Sequence, residues 1–231
     1  MARRKVTRNV PDDVYALGVT AAVFLIDFDN VRPDAHQPYR RRDAASAADF
    51  VRRQALQYAT KNTDVEECRL RYYGGWVLKR GEASFDAEKL ARWIPQVPRR
   101  DTATGLRVIV ELASSLLAHP GLPFFGTLRL PSRDAPSPSS CTSQCPTHCT
   151  PRPAQKMVDM MLGVDLLTLA AIERSHAVLF SSDEDLYPAV ISVSGATAKA
   201  ASVTWLRPGR ANGSSPNDSH LATTPLRIAQ P

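Results

Sequence analysis

Apolar and polar positions along the chain alternate between two periods, and each change of period marks an element. AAVFLIDF (21–28) is a short continuous apolar run, the pattern of a strand buried on both faces. Residues 43–61 carry Ala47, Phe50, Val51, Leu56 and Tyr58 at helical spacing, with Arg52 and Arg53 elsewhere on the surface. RLRYYGGWV (69–77) predicts a second strand ending in a Gly-Gly turn, SFDAEKLARWI (84–94) a short helix, and LRVIVEL (106–112) a third strand. GTLRL (126–130) is expected to pair beside that strand or across a hairpin. KMVDMMLGVDLLTLAAIERS (156–175) is the clearest helix, followed by strand HAVLFSS (176–182), helix DLYPAVISVSGA (185–196) and strand SVTWLRP (202–208).

Strands alternating with helices predict an α/β sandwich with a mainly parallel sheet. Three other segments break the periodicity. Residues 1–19 read as a polar leader, and 209–231 as a flexible tail with a return through LRIA (226–229). Residues 131–153 are rich in Pro and Ser and read as an inserted loop. One domain, 20–208, is the simplest division for a 231-residue chain.

In parallel sheets, sites lie in the crevice at the carboxyl ends of strands. The sequence places acids there. Asp27 closes the first strand, and Asp29, two residues on, points the same way if the strand continues. Asn30 could orient one of these carboxylates or a phosphate, and an Asp/Asn-rich turn accounts for the same four residues. Asp159 falls among Val158, Leu162, Leu166 and Leu169, inside the stripe expected to face the sheet, where a carboxylate needs Lys156 or a metal as partner. Asp165 borders that stripe, as a supporting group or, more simply, a solvated flank. Asp183 follows a strand and Asp185 opens a helix, with Pro188 in its first turn. Capping needs one such acid, whereas Ser-Ser-Asp-Glu-Asp offers several. Carboxylates gathered at one point repel unless a cation holds them, which predicts Mg²⁺ or Mn²⁺ and a metal-dependent nuclease.

Charge fits that reading. The formal net charge is +6, and a basic surface around an acidic site suits RNA or DNA. Arg40, Arg41, Arg42, Arg52 and Arg53 could hold a nucleic-acid backbone or form a solvated basic face. Tyr72, Tyr73 and Trp76 could stack bases, though an aromatic strand is more often core. No secretory h-region follows the basic N-terminus and no apolar run approaches the roughly 20 residues needed to span a bilayer, so a cytoplasmic location without membrane contact is expected. Cys141, Cys145, His148 and Cys149 sit within nine residues and could hold a structural zinc ion, with free thiols or a disulfide as the other reading.

Three blocks together resemble the NYN domain, a LabA-like branch of the PIN-like nuclease superfamily. FLIDFDNV (24–31) is similar to the family's strand ending in Asp with Asn three residues later. KMVDMMLGVDLLTLA (156–170) is similar to its Lys-x-x-Asp with another Asp six residues on. VLFSSDEDLYPAV (178–190) is similar to its strand, Ser-x-Asp-x-Asp and Pro. The resemblance implies a three-layer α/β/α sandwich and metal-dependent RNA cleavage. It maps Asp27, Asp159 and Asp183 onto the metal-binding acids, Asp185 onto a fourth and Asn30 onto an auxiliary. Ser182 stands where the family commonly has glycine, and the cysteine loop is outside the pattern.

The rival readings are a non-catalytic RNA- or protein-binding module, alone, as a homo-oligomer or with a protein partner, and a phosphatase-like domain with Asp27 as nucleophile. The latter leaves Asp159 without a role. A dehydrogenase is disfavoured because no Gly-rich turn follows the first strand.

Overall fold

A computed structural model describes residues 20–31, 43–62, 64–78, 83–123, 128–131, 153–155, 158–172, 176–196, 202–207 and 227–229. Its main elements are strands β1 (Ala21–Asp27), β2 (Glu67–Tyr73), β3 (Arg107–Leu112), β4 (His176–Phe180), β5 (Ser202–Leu206) and β6 (Arg227–Ala229). The helices are α1 (Ala44–Asn62), α2 (Phe85–Trp93), α3 (Val158–Ala170) and α4 (Tyr187–Ala196). The six strands form one sheet in the order β6-β5-β4-β1-β2-β3. Every pairing in it is parallel.

The period-2 alternation divides the core into two. Ala22, Phe24 and Ile26 of β1 join Leu70, Tyr72 and Phe180 under α1 and α2. Val23 and Leu25 join Leu179 and Trp205 under α3 and α4. Helices therefore cover both faces, which is the α/β sandwich expected from the sequence, and a strand covered on both faces has no polar side to show. All seven residues of β1 are buried for that reason.

On one face, α1 lays Ala44, Ala47, Ala48, Val51, Ala55 and Ala59 against the sheet. Small residues on this stripe let the helix sit close. Phe50, expected on the stripe, is exposed, since it falls on the opposite side of the wheel. Ser84 starts α2 by accepting the Ala87 N–H at 3.2 Å. On the other face, Gly163 of α3 meets Ala189 of α4 so closely that a Cβ added there would lie 3.1 Å from the Ala189 Cβ.

One expectation about connections changes and another holds. The segment Leu128–Pro131 does not pair beside β3; it bridges Val77–Leu78 and Pro153–Gln155 in a separate three-stranded sheet. Pro131 thus faces Pro153 across an antiparallel ladder, which brings together the two ends of the segment expected to be an inserted loop. The return near the C-terminus is β6, paired with β5 through Thr204–Arg227 to Leu206–Ala229. Among the described residues, no helix is long and apolar enough to cross a membrane.

Candidate metal centre

β1 and β4 are neighbours, with Ile26 beside Phe180. From β1 the chain crosses to α1 on one face, and from β4 it crosses to α4 on the other. The strand order reverses there, and the carboxyl ends of these two strands open a crevice between the diverging connections. Asp27 is the last residue of β1, and Asp183 follows β4 by three residues.

The strand ends at Asp27 because Phe28–Val31 turns into one turn of helix. Asp29 therefore does not share a face with Asp27, contrary to the expectation for a continuing strand; its carboxylate takes the Gly75 N–H at 3.5 Å. The helical turn brings Asn30 back instead. Asn30 Nδ2 donates to Asp27 Oδ2 at 2.7 Å and to Asp183 Oδ2 at 3.2 Å. Behind the turn, Phe28 meets Tyr72 and Trp76 at ring distances of 5.8 and 5.9 Å. Tyr72, Tyr73 and Trp76 are all buried, so they are core rather than base-stacking surfaces.

Ser181 ties the second acid to the first. Its Oγ donates to Asp27 Oδ2 at 2.7 Å and accepts the Asp183 N–H at 3.0 Å. The residue is itself fixed by β5, since Trp205 Nε1 donates to its carbonyl at 2.8 Å. Ser182, at the position that departs from the family pattern, donates to the Asn30 carbonyl at 3.1 Å. Asp183 also caps the short helix Glu184–Leu186 by accepting the Asp185 N–H at 2.9 Å. Capping and clustering are compatible here, one on each carboxylate oxygen. Arg207 steadies the same turn: it pairs with Glu184 at 3.1 Å, donates to Tyr187 Oη at 3.1 Å and lies over the Trp205 ring.

Asp159 arrives from the first turn of α3. One oxygen each from Asp27, Asp159 and Asp183 lie within 4.8 Å of one another. Asp159 is exposed, which corrects its assignment to the sheet-facing stripe; it points from the helix's start into the crevice rather than into the core. Asp185, the expected fourth acid, lies outside this group. Its charge is still close enough to help raise the Asp159 pKa, after desolvation and Asp183.

Two features of Asp27 point to a ligand. Its Oδ2 is saturated by Asn30 and Ser181, while its Oδ1 is buried and, among the described residues, has no hydrogen-bond partner. Leaving such a group unmet is costly unless something completes it. Burial pushes the Asp27 pKa from 3.8 up to about 7, with Asp159 and Asp29 adding to the rise against the lowering effect of Asn30 and Ser181. Three acidic oxygens, one of them buried and unmet, suit a hard divalent cation.

Asp165, expected as a solvated flank, is fully buried. Tyr73 Oη donates to its Oδ2 at 2.6 Å, the Leu117 N–H to its Oδ1 at 2.8 Å, and Arg71 Nε stands 3.3 Å away. Arg71 extends the network to Glu111 and to the Ser115 carbonyl. The network pins α3 to β2 and β3, and so fixes the helix that presents Asp159. The sequence carried a signal for it: Arg69, Arg71 and Tyr73 alternate with Leu70 and Tyr72, so a cation falls on an inward face and needs an acid there.

Arg52 and Arg53 are engaged elsewhere. Arg52 pairs with Asp49 at 2.9 Å and with Asp101 at 3.5 Å, and Asp101 precedes the amino end of β3. Arg53 pairs with Asp49. Arg40, Arg41, Arg42, Lys156, Cys141, Cys145, His148 and Cys149 lie outside the described residues.

Neither a family model nor a curated protein matches the chain. Among solved structures, a crystal structure of a protein of unknown function from Vibrio parahaemolyticus covers 92% of this chain and 93% of its own, at 14% identity and a TM-score of 0.41. A likeness of that size carries no functional argument.

Proposed function

We propose that this protein is a metal-dependent ribonuclease, with Asp27, Asp159 and Asp183 holding Mg²⁺ or Mn²⁺. The observation that carries the reading is the buried, unmet Asp27 Oδ1 at a cluster of three acidic oxygens within 4.8 Å. RNA as substrate rests on the resemblance of residues 24–31, 156–170 and 178–190 to the NYN pattern and on the net charge of +6. When bound, the cation supplies an activated water and neutralises charge developing on the scissile phosphate.

The chain's own groups prepare the site. Asn30 and Ser181 hold Asp27 Oδ2 and so turn Oδ1 away from both donors. Asn30 and the Asp185 N–H hold the two oxygens of Asp183. Asp159, with no hydrogen bond of its own among the described residues, completes the set from the start of α3. Preorganised ligands need little rearrangement when charge develops on the substrate.

The test is cleavage of mixed RNA by the purified protein with Mn²⁺, beside EDTA and a folded Asp183→Asn variant. Cutting that requires metal and falls at least a hundredfold in the variant supports the proposal. Cutting that survives the substitution refutes it. RNA binding without cutting in any metal moves the function to a non-catalytic RNA-binding module.

A further inference from the structure

The outer surface of α3 and α4 is built differently from that of the helices on the other face. α1 shows Arg53 and Lys61 to solvent, and α2 shows Glu88 and Arg92. In α3 the charged side chains are Asp159, at the crevice, and Asp165, fully buried, and α4 has none. What α3 turns outward is Met160, Val164 and Leu167, with Met160 64% exposed. A single exposed apolar residue is ordinary, but a surface helix needs a polar side, and one that is apolar all round is built to be covered.

The row of side chains says what covers it. Met160, Val164, Leu167 and Ala171 recur at intervals of four, three and four, which is the a/d seam of a two-helix contact. At 100° per residue they lie within about 60° of one another, opposite the buried side of the helix. Ala171 is exposed, and its N–H still bonds the Leu167 carbonyl at 3.2 Å, so the seam runs to the helix end. The seam is also self-complementary. Laid antiparallel on a second copy, Val164 falls opposite Leu167 and Met160 opposite Ala171, because both pairs are centred between Asp165 and Leu166. Each pair sets a larger side chain against a smaller one, and a two-fold axis at that centre repeats both contacts.

Charge and hydrogen bonding favour the same occupant. At a net charge of +6, two copies repel, and a charge-free face lets them meet without desolvating an ion. The antiparallel arrangement also opposes the helix dipoles and keeps the two Asp159 carboxylates at opposite ends. Two hydroxyls on this layer ask nothing of water: Thr168 donates to the Val164 carbonyl at 2.8 Å and Ser192 to the Pro188 carbonyl at 2.7 Å.

We propose that α3 is a dimerisation helix, packing antiparallel against α3 of a second copy with Val164 against Leu167 and Met160 against Ala171. The test is sedimentation equilibrium of the full chain. Wild type should move from one chain mass toward two as concentration rises. Val164→Lys and Leu167→Glu change exposed positions, so each should remain folded by circular dichroism, and each alone should dimerise at least tenfold more weakly. Mixed in equal amounts, the two variants should associate again, because the antiparallel register sets the new ammonium of one copy against the new carboxylate of the other. A parallel pairing would set each new charge against an apolar side chain and give no rescue. A wild type that stays monomeric at every concentration, a dimer indifferent to both substitutions, or a mixture that stays apart would each overturn the proposal.

Discussion

Ser181 Oγ donates to Asp27 Oδ2 at 2.7 Å across 154 positions of sequence, and the same oxygen accepts the N–H of Asp183 at 3.0 Å. One hydroxyl thus sets the spacing of two acids that like-charge repulsion would otherwise separate. Asn30 does the same from the other chain crossing, donating to both carboxylates. Ser181→Ala removes one donor from Asp27 and leaves the Asp183 N–H unmet. The expected cost is about 1–3 kcal/mol in urea denaturation, with weaker Mn²⁺ binding by calorimetry. Ser181→Thr, which keeps the hydroxyl, should recover most of both. Unchanged stability and affinity in the alanine variant would separate Ser181 from the site.

The raised pKa of Asp27 makes the metal-free protein sensitive to pH. Its folded value of about 7 lies above the ordinary 3.8, so the folded state binds this proton more tightly than the unfolded chain. Stability from this group is fully present below pH 3.8 and is lost as pH rises toward 7, by roughly 4 kcal/mol across the window. Asp27→Asn should abolish that part of the slope and raise the urea midpoint at pH 8 in EDTA. Wild type should regain stability at pH 8 when Mn²⁺ is added, and the variant should not. A variant less stable than wild type at pH 8 without metal would mean that the buried charge is already compensated.

Asp165 and Arg71 offer a test of how α3 is held. Asp165→Ala leaves a guanidinium with 5% of its surface exposed beside a vacated site, and a loss of about 3–5 kcal/mol is expected. Tyr73→Phe removes one donor and should cost about 1–3 kcal/mol. Because Asp159 rides on the same helix, folded Asp165→Asn should also bind Mn²⁺ more weakly. Metal affinity equal to wild type in that variant would show that α3 is placed without the network.

The fold was legible because its signals are local. An apolar run such as residues 21–27 admits few structures besides a strand buried on both faces, and α1 and α3 carry the helical period. Asp27, Asp159 and Asp183 were legible because strand ends and helix starts place them. The supporting groups were not. Ser181 had no role beyond its place in Ser-x-Asp-x-Asp, and only the β4–β1 register puts it against Asp27. Asp165 was misjudged because its partners Tyr73 and Leu117 are remote in sequence, and a border position on a helical wheel does not reveal what stands opposite. Asp29 failed for a local reason: the chain left strand geometry one residue earlier than its apolar pattern suggested.

Asp27, Asp159 and Asp183 are proposed to form one cation site. The most direct test is titration of the purified, metal-stripped protein with Mn²⁺, followed by electron paramagnetic resonance of the free ion. Wild type should show saturable binding that strengthens as pH rises through about 7, as Asp27 releases its proton. Asp27→Asn, Asp159→Asn and Asp183→Asn should each weaken that binding at least tenfold while remaining folded. Absence of saturable binding in wild type, or binding untouched by all three substitutions, would contradict the account at its centre.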